Sequence, residues 1–278
     1  MLKIRHYAKP PNVSGQLQKD TTIIMMRLLT LFFFTTVHFS YGQTNSEQYR
    51  RDILADEYII NGDIKDEFVK NDISVLFTRT SHTRIFGFIG DNYQRIRIKF
   101  ISVIKNKDNP SQYFVYGKSM VKENICEFQG YLTIKNVFNF KNSEYPETRT
   151  GKVIGEYIFF ENPSQKHVGS FRGVFCSNWY FDIDGNLKYD DLMDGADGFS
   201  NNGFVGTWTN YLGTVTKICN WGDDRIPMSG DLDSGAGEFH PDQKYLNNGW
   251  LTIRQAYGGP NDKAAEEAVR KEKYEWWK

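Results

Sequence analysis

A cluster of carboxylates, glycines and one histidine lies between Trp221 and His240. The candidate metal ligands in it are the side chains of Asp231, Asp233, Glu238 and His240. Calcium takes oxygen ligands of this kind from flexible loops, and a histidine adds a candidate general base. Asp and Gly are also common turn formers, which hydrogen-bond their own backbone. Two interpretations therefore stay open, a calcium site and a series of turns.

Tryptophans beside polar side chains favour a recognition site at the same cluster. Binding pockets combine aromatic surfaces with a few convergent polar groups. The candidate ligand-binding residues are Trp208, Trp221, Asp223, Asp224, Arg225 and Trp250. The sequence thus predicts a non-enzymatic protein that binds a small ligand, a glycan or a protein partner through the loop of residues 221–240.

A secreted hydrolase is the alternative from another class of function. It would use Asp223, Asp224, Glu238 or His240, because glycoside hydrolysis needs an acid and a second carboxylate at a suitable separation. The chain contains no G-x-S-x-G, H-E-x-x-H or P-loop motif that would identify catalytic residues. The alternative requires that at least two of the four side chains meet in an open cleft.

An export signal is predicted directly before Gln43. Arg27 precedes the apolar run of residues 28–34, and the small residues Ser40 and Gly42 stand where a signal peptidase reads them. The apolar run is too short to cross a bilayer, which needs about 20 apolar residues. We therefore expect cleavage after Gly42 and a mature chain in the periplasm or the medium, without a transmembrane segment.

These boundaries divide the chain into three predicted parts. Residues 1–24 are interpreted as an extension upstream of the true start, residues 25–42 as the signal peptide, and residues 43–278 as a single β-rich domain. The first 42 residues hold five of the 34 basic and one of the 34 acidic residues, which leaves 29 and 33. A net charge of about −4 without a basic block argues against nucleic acid as a partner.

The three cysteines lie in the mature part, where an oxidising compartment would preserve disulfides. Cys176 precedes Ser-Asn-Trp and Cys219 precedes Asn-Trp, so the two stand in similar settings and form the candidate disulfide. Cys126 would remain unpaired. The alternative is that all three are small buried hydrophobic residues, as free cysteines often are.

Short runs rich in β-branched and aromatic residues, separated by turn residues, predict antiparallel strands. They are Ser74–Thr78, Arg84–Ile89, Tyr93–Ile104, Gln112–Met120, Gly130–Val137, Val153–Glu161, His167–Phe175 and Gly203–Leu212. The pair Asp184-Gly185 predicts a tight hairpin, and glycines inside strands, such as Gly155 and Gly173, favour strong curvature. The predicted fold is mostly β, an antiparallel meander that forms a barrel or a strongly curved sandwich.

Helices are predicted at both ends of this domain. Apolar residues at three- and four-residue steps from Ser46 to Tyr58 predict a short N-terminal helix. Residues 262–277 predict a C-terminal helix with Asn261 as its N-cap. The long loop of residues 221–248 is expected to be ordered against the domain and to lead into a strand at Trp250–Ile253.

One local motif resembles known barrels. The segment Gly206-Thr207-Trp208-Thr209-Asn210-Tyr211-Leu212-Gly213 resembles the opening strand of avidin-type biotin-binding proteins, and Gly206-x-Trp208 is similar to the lipocalin signature. Both families place it on the first strand of an eight-stranded barrel. Only 65 residues follow it here, so no biotin contacts are implied.

A broader resemblance covers residues 203–250. The strings at 204–208, 219–223 and 229–233 resemble those of a group of uncharacterised exported proteins from Gram-negative bacteria. The resemblance implies export and brings no activity with it.

Overall fold

A computed structural model describes residues 40–60, 62–78, 84–141, 145, 147–260 and 262–278, with side chains from residue 45 onwards. The predicted extension of residues 1–24, nearly all of the predicted signal peptide and Asn261 lie outside the described residues. Gly42–Lys278 forms one compact unit. No helix of the described residues is long and apolar enough to span a membrane.

Antiparallel strands dominate the described chain. Their bounds are β1 (Ile85–Ile89), β2 (Gln94–Lys105), β3 (Gln112–Val121), β4 (Asn124–Asn139), β5 (Arg149–Glu161), β6 (Gly169–Phe181), β7 (Leu187–Tyr189), β8 (Asn201–Asn210) and β9 (Thr216–Asp223). The sheet order is β1-β2-β3-β4-β5-β6-β8-β9, and β9 pairs back onto β1. The eight strands therefore close into a barrel, which confirms the predicted mostly β fold.

The short strand β7 lies outside this closed circuit. It pairs with the last residues of β6, Phe181 opposite Leu187, across the turn that holds Gly185 at a φ of 78°. Glycine adopts this left-handed conformation without steric cost. The hairpin predicted from Asp184-Gly185 is therefore confirmed.

Glycine lets the barrel wall curve tightly. A Cβ on Gly173 would lie 2.1 Å from the carbonyl oxygen of Val205, and one on Gly155 would lie 2.4 Å from that of Thr133. Neither position has room for a side chain, so the neighbouring strands approach closely, as a small barrel requires.

Aromatic side chains fill the barrel interior. Phe204 stacks on Trp221 with ring centroids 4.8 Å apart, and Phe100 lies edge-on to Phe159 and Phe204. These rings belong to one continuous buried cluster that also contains β-branched residues from most strands. The interior is a packed core, as in other small barrels whose interior positions are filled by side chains.

The two ends of the barrel differ. The hairpins β1–β2, β3–β4, β5–β6 and β8–β9 lie at one end, called the base here, and the hairpins β2–β3, β4–β5 and β6–β7 lie at the other, called the top. Helices α2 (Lys65–Phe68) and α3 (Ser74–Thr78) close the top, where Phe77 packs against Phe100, Phe175 and Phe204.

The strand predicted at Ser74–Thr78 was wrong, since this segment is helix α3. The Asp72 carboxylate accepts from the backbone N–H of Ser74, and the Thr78 hydroxyl donates to the Ser74 carbonyl. The segment has no strand partner. A short helix turns its buried Leu76 and Phe77 into the barrel mouth, which explains the apolar run.

The N-terminal helix α1 (Ser40–Leu54) covers one part of the outer wall and confirms the predicted helix. Tyr49 and Ile53 pack on Ile154 of β5 and on Val174 and Cys176 of β6. A Ser46 hydroxyl donates to the carbonyl oxygen of Val205 on β8, 3.0 Å away.

The segment after β9 covers the outer faces of β1 and β9. Two 3-10 helices, Gly230–Leu232 and Gln243–Asn248, lie within it. They are followed by α4 (Leu251–Tyr257) and α5 (Lys263–Lys273). Phe86 and Phe88 of β1 pack against Phe239, Trp250 and Ile253. The long loop is thus ordered against the barrel, although its first three residues belong to β9.

Two boundaries in this segment were wrong. The strand predicted at Trp250–Ile253 is the start of α4, because the three-residue step places both residues against the same apolar cluster. The C-terminal helix ends at Lys273 and not at residue 277, since Tyr274 is extended and Trp276 turns back into a buried position. Its N-cap is Asp262, whose carboxylate accepts from the Ala265 N–H.

A buried ion pair fixes α5 to β2. Arg95 donates two hydrogen bonds to the Glu272 carboxylate at 2.5 and 2.8 Å, and Arg97 adds a third at 2.9 Å. Burial alone would raise the pKa of Glu272, but Arg95 and Arg97 hold that pKa below its ordinary value. The carboxylate therefore stays ionised in the interface.

We expect Glu272→Gln to lower the free energy of unfolding by about 3 kcal/mol, because it leaves Arg95 buried without its counter-ion. Urea titration of the protein measures the loss. The control is Glu266→Gln on the same helix, where the side chain is exposed and a change within about 0.5 kcal/mol is expected. Equal effects of the two substitutions would contradict a structural role for the pair.

Candidate functional site

Asp223 ends β9 and turns into the top of the barrel. Its Oδ2 accepts from the Tyr189 hydroxyl at 3.0 Å and from the Asn202 amide at 2.7 Å. The same Asn202 amide donates to the carbonyl oxygen of Leu76 in α3, 2.9 Å away. Asp223 thereby connects the barrel wall to the helix that closes the top.

Burial raises the pKa of Asp223 to about 8, and the neighbouring charge of Asp224 adds to the effect. The group is therefore a neutral carboxylic acid at pH 7. Burial, followed by the charge of Asp223, also raises the pKa of Tyr189. A neutral acid and a phenol in apolar surroundings are candidates for function, because pKa shifts of this size concentrate at functional sites.

Asp224 points away from this pair towards Arg84. Its Oδ1 accepts from the Arg84 Nε at 2.8 Å, and its backbone takes a φ of 58°, which is uncommon outside glycine. The Arg84 Nη1 also reaches Glu238 at 3.5 Å. The structure thus brings Asp224 and Glu238 together through one arginine.

Arg225 holds the glycine-rich loop in place. Its guanidinium donates to the Asp233 Oδ2 at 2.9 and 2.7 Å and to the carbonyl oxygen of Gly235 at 2.8 Å. The other oxygen of Asp233 accepts from the N–H groups of Gly235 and His240. The glycine-rich loop is therefore wrapped around one buried arginine–carboxylate pair.

The four candidate metal ligands are directed to different partners. Asp231 accepts from Lys244 and Tyr245, Asp233 binds Arg225, and Glu238 reaches Arg84. Among the described residues no group of three or more His, Cys, Asp and Glu side chains is placed to hold a metal ion. Of the two interpretations of the cluster, the contacts favour the series of turns.

The three candidate tryptophans are core residues. Trp221 lies inside the barrel, and Trp208 lies there as well, with its Nε1 donating to Glu161 at 2.8 Å. Trp250 is buried on the outer side of the wall, where its Nε1 donates to the carbonyl oxygen of Tyr93. They form no common aromatic surface beside Asp223.

The candidate disulfide is absent, and Cys126, Cys176 and Cys219 are all free and buried. Cys176 faces outward beneath α1, whereas Cys219 faces the barrel interior. The wall of the barrel separates the two thiols. The alternative prediction, that these cysteines are small buried residues, agrees with the structure.

The hydrolase alternative finds no support in this arrangement. Asp223 and Asp224 are both buried, with exposed fractions of 4% and 7%, and they turn to different partners. Glu238 is exposed and contacts Arg84, while the His240 backbone binds Asp233. Asp224 and Glu238 meet only through Arg84, and because Asp224 is buried this pair does not form the open cleft that the hydrolase alternative requires.

An open cleft of the described chain lies elsewhere at the top, between the turn that follows α2 and the β2–β3 hairpin. Its volume is about 740 Å³, and it is lined by Val69, Lys70, Asp72, Val103, Ile104, Lys105, Asn106, Lys107 and Pro110. We call it the hairpin cleft. The sequence analysis missed it, because no local pattern shows that residues 69–72 pack beside a hairpin more than 30 residues away.

Comparisons with known proteins give no relatives: no family model, no curated protein and no solved structure matches this chain. The segment Gly206–Trp208, which resembles the avidin and lipocalin motif, lies on β8.

We expect Asp223→Asn to stabilise the protein, and the stabilisation to grow with pH. The folded-state pKa of about 8 lies above the ordinary value of about 4, so wild type loses stability as pH rises between the two. Asparagine can accept the same hydrogen bonds and has no proton to lose. The difference in unfolding free energy should rise between pH 5 and 8, by at most ~1.4 kcal/mol per pH unit.

Urea titrations at several pH values measure this difference. Asp91→Asn, which removes an exposed carboxylate at the base, serves as the control and should give a difference that stays nearly constant with pH. A constant difference for Asp223→Asn as well would show that Asp223 is not held protonated by the fold.

Proposed function

We propose that this chain is a non-enzymatic binding protein that takes an amphipathic anion, an apolar molecule with one acidic end, in the hairpin cleft. The observation that carries the proposal is the cleft itself, about 740 Å³ of open space with apolar walls and lysines. Its size falls in the range of about 300–1,000 Å³ that small-molecule sites occupy.

The apolar part of the cleft favours a hydrocarbon body. Val69, Val103, Ile104 and Pro110 contribute to its walls. Ile104 is 62% exposed, so a ligand that covers it removes apolar surface from water. Burying such a side chain contributes about 1.5–3 kcal/mol when the burial is complete.

The charges of the cleft favour an anionic end. Lys70 and Lys107 are exposed, and neither forms an ion pair with a described residue. Asp72, the carboxylate of the lining, already accepts from the Ser74 N–H as the cap of α3. The lysines thus outnumber the carboxylate, and a concave surface of one sign concentrates ligands of the other.

A third lysine gives the cleft a fixed shape. Lys105, at the end of β2, donates to the carbonyl oxygens of Val69 and Asn71 and so ties the two walls together. A preformed site loses less conformational entropy on binding than one that must be ordered.

The export signal predicted before Gln43 completes the proposal. It would deliver the hairpin cleft to the periplasm or the medium, where the ligand would be met outside the cytoplasm.

Decanoate is a suitable probe, and we expect it to bind the protein in isothermal titration calorimetry more tightly than decanol of the same chain length. Replacing both free lysines, in Lys70→Gln with Lys107→Gln, should weaken decanoate binding at least tenfold and leave decanol binding unchanged. Each charged hydrogen bond of this kind contributes roughly 1.5–3 kcal/mol.

The matched control is Lys166→Gln with Lys217→Gln, which removes the same charge from the base of the barrel and should leave binding intact. The proposal fails if decanoate does not bind, or if both double variants weaken it equally, because the attraction would then depend on net charge and not on the cleft.

A further inference from the structure

Among the described residues, neither α1 nor the C-terminal segment packs on the outer wall of strands β3 and β4 and the adjoining halves of β2 and β5. Helix α1 packs on Ile154, Val174 and Cys176 of β5 and β6. The C-terminal segment packs on Phe86 and Phe88 of β1. Outward-facing side chains between these two covers meet solvent.

A row of apolar side chains crosses this uncovered wall. The strand register sets Ile104 beside Phe114, Phe114 beside Tyr131, and Tyr131 beside Ile158. Phe114 and Tyr131 are 44% and 38% exposed, and their ring centroids lie 5.6 Å apart. With neighbouring strands about 4.8 Å apart, the row is roughly 14 Å long.

Phe160, on β5, extends this row into a patch and is 40% exposed. Apolar patches with a polar border on a folded protein commonly mark a contact with another protein. The border of this patch indicates which protein.

Charges on β4 are arranged with opposite signs about Tyr131. The outward residues of this strand run Glu127, Gln129, Tyr131, Thr133 and Lys135. Glu127 and Lys135 therefore lie four residues to either side of Tyr131, roughly 13 Å away in each direction. A two-fold axis along the apolar row would place Tyr131 against its own copy and Glu127 opposite Lys135 of the second copy.

We propose that this wall binds a second copy of the chain about that two-fold axis. The same patch serves both copies, as in an isologous interface, and in this orientation Glu127 and Lys135 are complementary. Within one copy, Glu127 lies 3.9 Å from Lys118 and accepts from the Tyr116 hydroxyl at 3.1 Å, and Lys135 lies 3.0 Å from Glu156, so the pair between copies forms in competition with these contacts.

The patch is small for a protein–protein interface. Roughly 14 Å across the strands and 26 Å along β4 give a footprint well below the ~800 Å² per partner of a standard interface. A footprint of this size is typical of a weak, reversible dimer. The dimer does not require the ligand proposed for the hairpin cleft, although Ile104 borders both surfaces.

Sedimentation equilibrium of the protein between about 5 and 500 µM tests the proposal. We expect a concentration-dependent dimer that Phe114→Thr with Tyr131→Thr converts to a monomer at every concentration. Threonine is a good strand former, so β3 and β4 should persist, which circular dichroism verifies. The control is Ile183→Thr with Leu212→Thr, at hairpin tips where the two side chains are 84% and 85% exposed, and it should leave the dimer intact.

Charge reversal tests the orientation. Glu127→Lys and Lys135→Glu should each weaken dimerisation at least fivefold, and the double reversal should restore it, because the pair reforms between copies. Three results would overturn the proposal: a monomer throughout the concentration range, a dimer that survives the Phe114 and Tyr131 substitutions, or a double reversal no better than the single ones.

Discussion

Pairing of β9 with β1, which closes the sheet into a barrel, is the constraint on which the other features depend. The ladder runs from Ile85 opposite Asp223 to Ile89 opposite Cys219. Once eight strands close, side chains fill the interior, and rings such as Phe204 and Trp221 occupy it. The two open ends of the barrel must then be covered by other segments. Any ligand or partner must bind outside the wall. That is why both proposals concern the top cleft and the outer surface.

A carboxyl group is buried near each end of the closed barrel. Near the base, the buried Glu161 accepts from the Ser119 hydroxyl at 2.6 Å, the Gly169 N–H at 2.9 Å and the Trp208 indole at 2.8 Å. Near the top, Asp223 receives its two bonds on one oxygen. Burial disfavours the charged form of a carboxylate, and it raises the pKa of both groups although these hydrogen bonds act in the opposite direction. The top end therefore holds a neutral acid where wall and covering helix meet.

The sequence predicted the wall and helix α1 well, and the short helices that cover the barrel poorly. Alternation, hairpin glycines and in-strand glycines follow from local geometry, and they located most strands and the barrel. Helix α3 and the start of α4 were taken for strands, because an apolar run of four or five residues has the same composition in a buried helix as in a strand. The surface that each segment contacts decides between helix and strand. Phe77 of α3 packs into the open top of the barrel, and Trp250 packs on the outer face of β1.

Most residues of the candidate site make structural contacts within the described chain. The cluster from Trp221 to His240 looked chemical because it concentrates Asp, Gly, Arg and Trp. Most of these residues serve a long loop that must be held: Asp233 and Arg225 replace the regular backbone pairing that a glycine-rich loop lacks, and Trp221 belongs to the core. Within the cluster, burial raises the pKa of Asp223 and of Asp224. Lys70 and Lys107 belong to no sequence motif, because the hairpin cleft that they line forms only when separate segments pack together.

The two proposed surfaces meet at Ile104, and this has a thermodynamic consequence. The side chain lines the hairpin cleft and also ends the apolar row that a second copy would cover. If ligand and second copy both bury it, each changes the surface left for the other. Linkage then requires the ligand to shift the monomer–dimer equilibrium by the same factor as dimerisation shifts ligand affinity. A ligand that covers Ile104 first removes part of the row and favours the monomer, whereas one confined to Lys70 and Lys107 leaves the equilibrium unchanged. The dependence of dimerisation on ligand therefore reports where in the cleft the apolar body lies.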